Sequence, residues 1–490
     1  MRAKATPFSV PPPVGGWNSR DALDAMPVED AISLDNWFPT TGKVSVRKGF
    51  ETYATGMGIS NVDTLAEYHS GSTRKFVAGA NGNLYDITTS TPSSIGSGYA
   101  SNQWQTANFN GKLFLVNGQD APLDWDGTTL SATSWSGSGL TISDLDGVNV
   151  FKNRLFFWDS DTQDFWYGGA AAVTGTLTKF PLSRVSQFGG NLVSMGTWTF
   201  DGGSGIDDYA VFAMSSGDVI VYQGTDPGSD FSLVGIYKIG QPLSIRGLIQ
   251  FGGDLVVMTT DDFVYLSQVL RTGQVGAPSK LSGAIQEASL NSGLYGWEAV
   301  LYKQGSKLIF NIPDNDTDGN KQFVYNTTTG AACRFVGMDA RCWGVYNNNL
   351  YFGGKDGAVY KAETGEDDDG SAIKADGSQA WTSFGSPQSS RITATRSVLQ
   401  SVGGITYELG LGFDFNNALT PSASSTAVTG SPWDTSPWDT SSWGAGMVVS
   451  TKWRAARGIG QNVSARLRVS ALQSISWLRQ DYRIEQGRNL

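Results

Sequence analysis

Three aspartates at alternate positions are the first residues in this 490-residue chain whose spacing suggests chemistry. Asp314, Asp316 and Asp318, followed by Gly319, fill positions 1, 3, 5 and 6 of a calcium loop, where alternating oxygens and a glycine turn wrap a hard cation. The far end of the pattern fails. Position 12 is Tyr325, where a bidentate glutamate belongs, and position 9 is Gln322. A solvated hairpin tip accounts for the same residues, so neither a metal nor another cofactor is expected. Asp159, Asp161 and Asp164, and the pair Asp207 and Asp208, are the nearest candidates for the two carboxylates of a glycosidase. All of them sit beside turn signals, where aspartate commonly caps backbone N–H groups. No catalytic residue is expected among them.

The chain holds one histidine, His69, and two cysteines, Cys333 and Cys342. One histidine supplies no multi-histidine metal site, and since Ser-His-Asp triads and Cys-His pairs also draw on histidine, carboxylate catalysis is the chemistry that remains possible. Two cysteines make neither a zinc site nor a disulfide framework, and two buried free thiols are expected. The formal net charge is −10, which repels nucleic acid and anionic membranes. No apolar run approaches the roughly 20 residues that span a bilayer. The first residues lack the apolar core of a secretory signal, so synthesis and folding in a cytoplasm are expected.

The elements that must position any site are strands. Glycine is 61 of 490 residues and aromatics are 12%, which suits many short strands joined by tight turns. The fragments "FNGKLFLV", "FKNRLFFW", "FGGDLVVM" and "YNNNLYFGG" share one design. An aromatic is followed four residues later by Leu, at Phe109/Leu113, Phe151/Leu155, Phe251/Leu255 and Tyr346/Leu350; Tyr302/Leu308 repeats it with two extra turn residues. Each reads as a hairpin. A short strand ending in Tyr or Trp follows each. About seven such units lie between residues 61 and 380. A period of 40–50 residues with several strands per unit is the signature of β-propeller blades. The expected fold is all-β: a propeller of about six to eight blades, with seven as the central count. A β-sandwich with coincident hairpins is the competing reading.

Outside the repeats, "VPPPVGG" predicts an extended arm in residues 1–20. Pro27, Glu29 and Asp30 predict a helix over residues 27–37, because proline suits its first position and acids its positive end. "EDDDGS" near residue 366 reads as a solvated loop at a domain boundary. Beyond it, "SPWDTSPWDTSSWG" repeats Trp433, Trp438 and Trp443 at period five, as core or interface anchors. The alternating C-terminal segment carries Arg466 and Arg468 on one strand face, expected to pair with acidic groups of a neighbouring domain or subunit. Residues 451–490 hold eight basic and two acidic residues, whereas residues 61–380 hold 19 basic and 33 acidic. Three segments follow: 1–60, 61–380 and 381–490.

The stretch "GGWNSRDALDAMPVEDAISLDNWFPTTGKVSVRKGF" resembles the opening of the tail nozzle proteins (tail tubular protein B) of short-tailed bacteriophages. The matched positions are Gly15, Gly16, Asn18, Arg20, Met26, Pro27, Leu34, Asn36, Phe38, Pro39, Arg47 and Gly49. "SPWDTSPWDTSSWG", "GIGQNVSARLRVS" and the final "EQG" resemble the same group. The resemblance implies a propeller joined to a platform built from the N-terminal arm and the C-terminal β segment. It implies a ring of six copies in the phage virion, assembled in the host cytoplasm below the adaptor and portal. Such a ring encloses the channel through which DNA leaves and carries attachment sites for tail fibres or spikes. It implies no enzymatic residues. A carbohydrate-active propeller, either a receptor-binding tail protein or a glycosidase, is the alternative.

Overall fold

The computed structural model describes residues 5–201, 206–273, 275–291, 296–314, 319–416, 422–425 and 448–486. The chain is 54% strand and 5% helix, arranged as a β-propeller with an attached platform. The local hairpin chemistry is the one the sequence calls for. Phe109 pairs with Lys112, Phe151 with Arg154 and Tyr346 with Asn349. The two residues between the partners all have positive φ: Asn110 and Gly111, Lys152 and Asn153, Asn347 and Asn348. This is the type I′ turn, whose twist matches that of the strands it joins.

Six blades are sheets in their own right. Their first strands are Val62–Ser70, Gln105–Phe109, Gly147–Phe151, Leu192–Asp201, Leu248–Phe251 and Cys342–Tyr346. Between the last two stand four strands, Glu298–Tyr302, Lys307–Ile312, Lys321–Asn326 and Ala332–Phe335, which we call the fused blade. They are one end of a ten-stranded sheet that continues through Asp30–Asp35, Ile373–Gln379, Val463–Ala471, Thr406–Phe413 and Ser422–Ser425. The innermost strands touch in sequence, and Cys342–Tyr346 closes against Val62–Ser70. The number of blades lies within the expected six to eight. The aromatics that mark the repeats fill separate cores between neighbouring blades; Trp104 and Trp125 lie between the first two, Phe165 and Phe212 between the third and fourth.

The final blade is closed by an early strand. Gly49–Ala54 pairs with Val359–Thr364, so the propeller takes in residues ahead of the boundary drawn at 60/61. The platform's second sheet has seven strands: Ser390–Ser401 and Ile475–Gln486 at its centre, Arg454–Gly460 and Val448–Ser450 along one edge, and Lys43–Val46, Trp37–Thr40 and Thr6–Val10 on the other side. It packs on the ten-stranded sheet through one large apolar core containing Trp37, Trp477, Tyr407 and Leu467. The proline arm runs along the platform, where the Gln379 amide donates to the Pro11 carbonyl at 2.8 Å.

Two further sequence expectations are corrected. Residues 27–37 are not a helix. After one turn, in which the Asp30 N–H donates to the Pro27 carbonyl, Asp30–Asp35 is a strand paired with Gly16–Trp17 and with Ile373–Gln379. Sheet partners more than 300 residues away outweigh local helix signals. The helices are instead Leu266–Thr272 and Ser282–Asn291, in a stretch with no visible helical period; the first buries Leu266 and Val269 against the fifth blade. Nor is the acidic run at 366–369 merely solvated. Backbone and side chains of Asp367, Asp368 and Asp369 bond to Arg47, Phe50 and Thr52 and fasten the closing strand. No described helix is long and apolar enough to cross a membrane.

Candidate functional site

Three polar constellations among the described residues bear on function, and the first is the joint between propeller and platform. Gly16 has φ +84°, and a Cβ there would lie 2.5 Å from the backbone N and O of Ala332. A Cβ on Gly49 would lie 1.6 Å from the Asp367 carbonyl oxygen. Only glycine lets the chain pass so close at these two places. Asn36 takes φ +58° at the end of its strand. Its Nδ2 donates to the carbonyls of Val336 and Lys374, and its Oδ1 accepts from the Val336 N–H and from Arg47 Nε at 2.8 Å. Arg47 then spends its other donors on the Lys48 and Val336 carbonyls and, at 2.7 Å each, on both oxygens of Asp368. All five guanidinium N–H groups are satisfied and its side chain is 0% exposed. Nearby, Asn18 bridges Asp21 and Asp30, and Lys280 bonds Asp30 at 2.7 Å. Gly16, Asn18, Asn36, Arg47 and Gly49 thus each act here as a clamp or a close-packing site.

The second constellation closes the propeller axis. Arg246 leads into the fifth blade and reaches the opposite side of the ring. It donates to the carbonyls of Asp63 and Trp104, to Thr64 Oγ1 and to Gln105 Oε1, all in the first two blades or the turn between them. Glu298 of the fused blade lies 3.7 Å from it and accepts the Trp343 N–H at 2.9 Å. Arg341 pairs with Asp63 at 3.2 Å. Burial pushes the Glu298 carboxyl up, against the pull of Arg246. This plug spans residues 63 to 343, and no sequence motif signals it.

Above the plug opens the third, a funnel of about 570 Å³ between the second, third and fourth blades and the crossing segment 241–245. Gln105, Asn117, Asp146, Ser160, Asp161 and Asn191 line it, and none of its lining side chains is aromatic. Asp146 accepts hydrogen bonds from the N–H and hydroxyl of Ser160. Burial nevertheless pushes its carboxyl up to about 6, assisted by repulsion from Asp159 and Asp161. A carboxyl raised in the folded state gives stability that falls as pH climbs from its unfolded value, 3.8, through about 6. Asp146→Asn is therefore expected to stabilise the protein by about 1–2 kcal/mol at pH 7.5 and not at all below pH 4. That is less than the ~1.4 kcal/mol per tenfold change of acidity implies, because the amide keeps only one oxygen for two Ser160 donors. Denaturant melts of both proteins at the two pH values check this; an equal gain at both removes the charge explanation.

The sequence candidates fall in different places. Asp159 and Asp161 join the funnel rim, while Asp164 pairs with Lys179 and Asp208 with Lys152. The Asp207 side chain lies outside the described residues. Asp314 pairs with Lys321 at 2.7 Å, and Asp316 and Asp318 lie outside the described residues. Trp433, Trp438 and Trp443 also lie outside them. Arg466 and Arg468 share Asp376, at 2.5–2.8 Å, on the outer face of the ten-stranded sheet; this acid belongs to the preceding segment of the same chain. Both cysteines are free and buried, and burial pushes both thiols up. Asp146, Arg246 and Glu298 were not singled out, since only the tertiary arrangement gives them partners.

No family model matches the chain, and no curated protein matches it. Among solved structures it is similar to the computationally designed Ika8 protein, at 15% identity and a TM-score of 0.39 over 64% of this chain and 99% of that one. It is similar to BBS1N in complex with ARL6DN, at 12% identity and a TM-score of 0.43 over 65% and 98%. It is also similar to Chaetomium thermophilum Raptor, at 11% identity and a TM-score of 0.43 over 64% and 29%.

Proposed function

We propose that this protein is a structural component of a short phage tail: the nozzle, six copies of which form a ring in the virion. The ring conducts and gates DNA on its way out, docks to the adaptor, and carries fibres or spikes. Its work is mechanical rather than catalytic. The observation that carries this reading is the role of the residues resembling nozzle proteins. Gly16, Asn18, Asn36, Arg47 and Gly49 meet at the joint that fixes platform to propeller, and they serve geometry rather than reaction. Two further features support it. Each propeller is plugged by Arg246 and Glu298, so a passage for DNA is formed between copies and not within one. The acidic propeller segment repels phosphates and lets DNA slide without being held.

Electron microscopy of the purified protein, alone and with adaptor rings added, tests this. Closed six-membered rings are expected in at least one condition. A chain that stays monomeric with adaptor present and cleaves a polysaccharide overturns the proposal in favour of a carbohydrate-active propeller.

A further inference from the structure

The outward face of the seven-stranded platform sheet is an array of arginines on an acidic protein. Arg479, Asp481, Arg483 and Glu485 alternate outward along Ile475–Gln486, and the register places Arg396 beside Asp481 and Arg391 beside Glu485. Asp481 is 3% exposed, buried beneath Arg396 at 2.6 Å, Arg479 at 2.8 Å and the Ser9 hydroxyl at 2.7 Å. Its charge is hidden and its role is to hold guanidinium groups in place. Trp453 lies between the Arg396 and Arg483 guanidinium groups, 4.6 and 4.7 Å from its ring. Arg457 and Ile459 continue the face along the edge strand Arg454–Gly460, and both are exposed. Solvent therefore meets five arginines and one partly exposed acid, Glu485. Arg457 and Arg483 make no ion pair among the described residues. Asp481 and Trp453 orient the guanidinium groups of Arg396, Arg479 and Arg483 in advance, and Arg457 and Arg483 have donors to spare.

The same chain carries the complementary surface. Asp144, Asp146, Asp159 and Asp161 crowd the funnel rim, and none of them has a cationic partner among the described residues. Asp144 and Asp161 are exposed. Mutual repulsion adds to burial in raising Asp146 and Asp159, so an arriving cation relieves a cost already present in the free chain. Two unlike patches on one chain that complement each other make a heterologous contact, which propagates head to tail and closes if the rotation allows.

We propose that the arginine face around Arg457, Arg483 and Trp453 of one copy docks on the acidic rim around Asp144 and Asp161 of a second copy. This rests on the ring reading and names the surfaces that build the ring. A nucleic acid is the less favoured occupant, because an approaching phosphate chain meets a protein of net charge −10.

Charge-swapped variants test the contact by mass photometry at low and high salt. Arg457→Glu with Arg483→Glu, and separately Asp144→Lys with Asp161→Lys, are each expected to weaken self-association by at least about tenfold while melting like the unmodified protein. Mixed together, the two variants are expected to regain assembly as alternating copies, since the intact patches complement each other and so do the two reversed ones. All four changes in one chain are expected to restore assembly. Variants that assemble normally, a mixture that stays monomeric, or an unmodified chain that does not self-associate overturns the proposal. So does loss of duplex DNA binding with assembly unchanged, which reassigns the arginine face to nucleic acid. Open chains that dissolve on charge reversal keep the contact and refute the ring; rings indifferent to reversal do the opposite.

Discussion

Asp368→Ala is expected to destabilise the protein by about 4 kcal/mol, more than Arg47→Met at the same joint. Breaking a buried ion pair from one side costs about 3–5 kcal/mol, because the surviving charge loses its partner without regaining water. The two sides are unequal here. Arg47 is 0% exposed at its side chain and Asp368 is 15% exposed. Removing the acid strands a guanidinium inside the joint, whereas removing the arginine leaves a carboxylate that can turn toward solvent. The double variant Arg47→Met with Asp368→Leu is expected to cost less than Asp368→Ala alone, as when a buried ion pair is replaced by apolar side chains. Limited proteolysis locates the effect: Asp368→Ala should open the 365–372 loop to cleavage before the rest of the propeller. A single variant that unfolds at the same urea concentration as the unmodified protein refutes the clamp.

Arg246→Met is expected to cost about 3 kcal/mol at pH 8 and much less at pH 5. It leaves Glu298 with the Trp343 N–H and no cation. Glu298 already titrates above its usual 4.5 because of burial, and losing Arg246 lifts it further. A carboxyl raised in the folded state holds more protons there than in the unfolded chain, so stability falls as pH rises through that window. Arg246→Met moves the upper end of the window higher. Adding Glu298→Gln removes the titrating group and is expected to recover most of the loss and flatten the pH profile. Unfolding midpoints of the three proteins between pH 5 and pH 8 decide it; a pH-independent loss in Arg246→Met would mean that the arginine acts by packing alone.

The blade hairpins were legible because their information is local. Asn110-Gly111, Lys152-Asn153 and Asn347-Asn348 each carry residues that tolerate positive φ between an aromatic and a Leu. The strand at Asp30–Asp35 was not, because its pairing with Ile373–Gln379 has no trace in the neighbouring sequence, while Pro27, Glu29 and Asp30 do signal a helix. The fused blade was hidden for the same reason. Its four strands repeat like the others, and only the parallel contact between Asp35 and Arg334 reveals that the sheet runs on into the platform. The two helices escaped because glycine and serines interrupt Ser282–Asn291 and Leu266–Thr272 spans only seven residues. The plug joins residues from five separate stretches, so its members look like ordinary surface charges until the ring brings them together. The C-terminal arginines were legible as a group, but their division between Asp376 and Asp481 depends on which sheet each strand enters.

The closing strand has a consequence in time. Gly49–Ala54 is synthesised early, and its partner Val359–Thr364 follows roughly 300 residues later. At about 5–20 residues per second, the first strand waits roughly 15–60 s on the ribosome before the ring can shut. Thr6–Val10 and Lys43–Val46 wait longer still, for Ile475–Gln486. The blades between them can form one by one as they emerge, each with a raw edge facing the next. Closure of the propeller and completion of the platform are thus events of the finished chain, and a nascent chain stalled before residue 359 holds an open fan of blades.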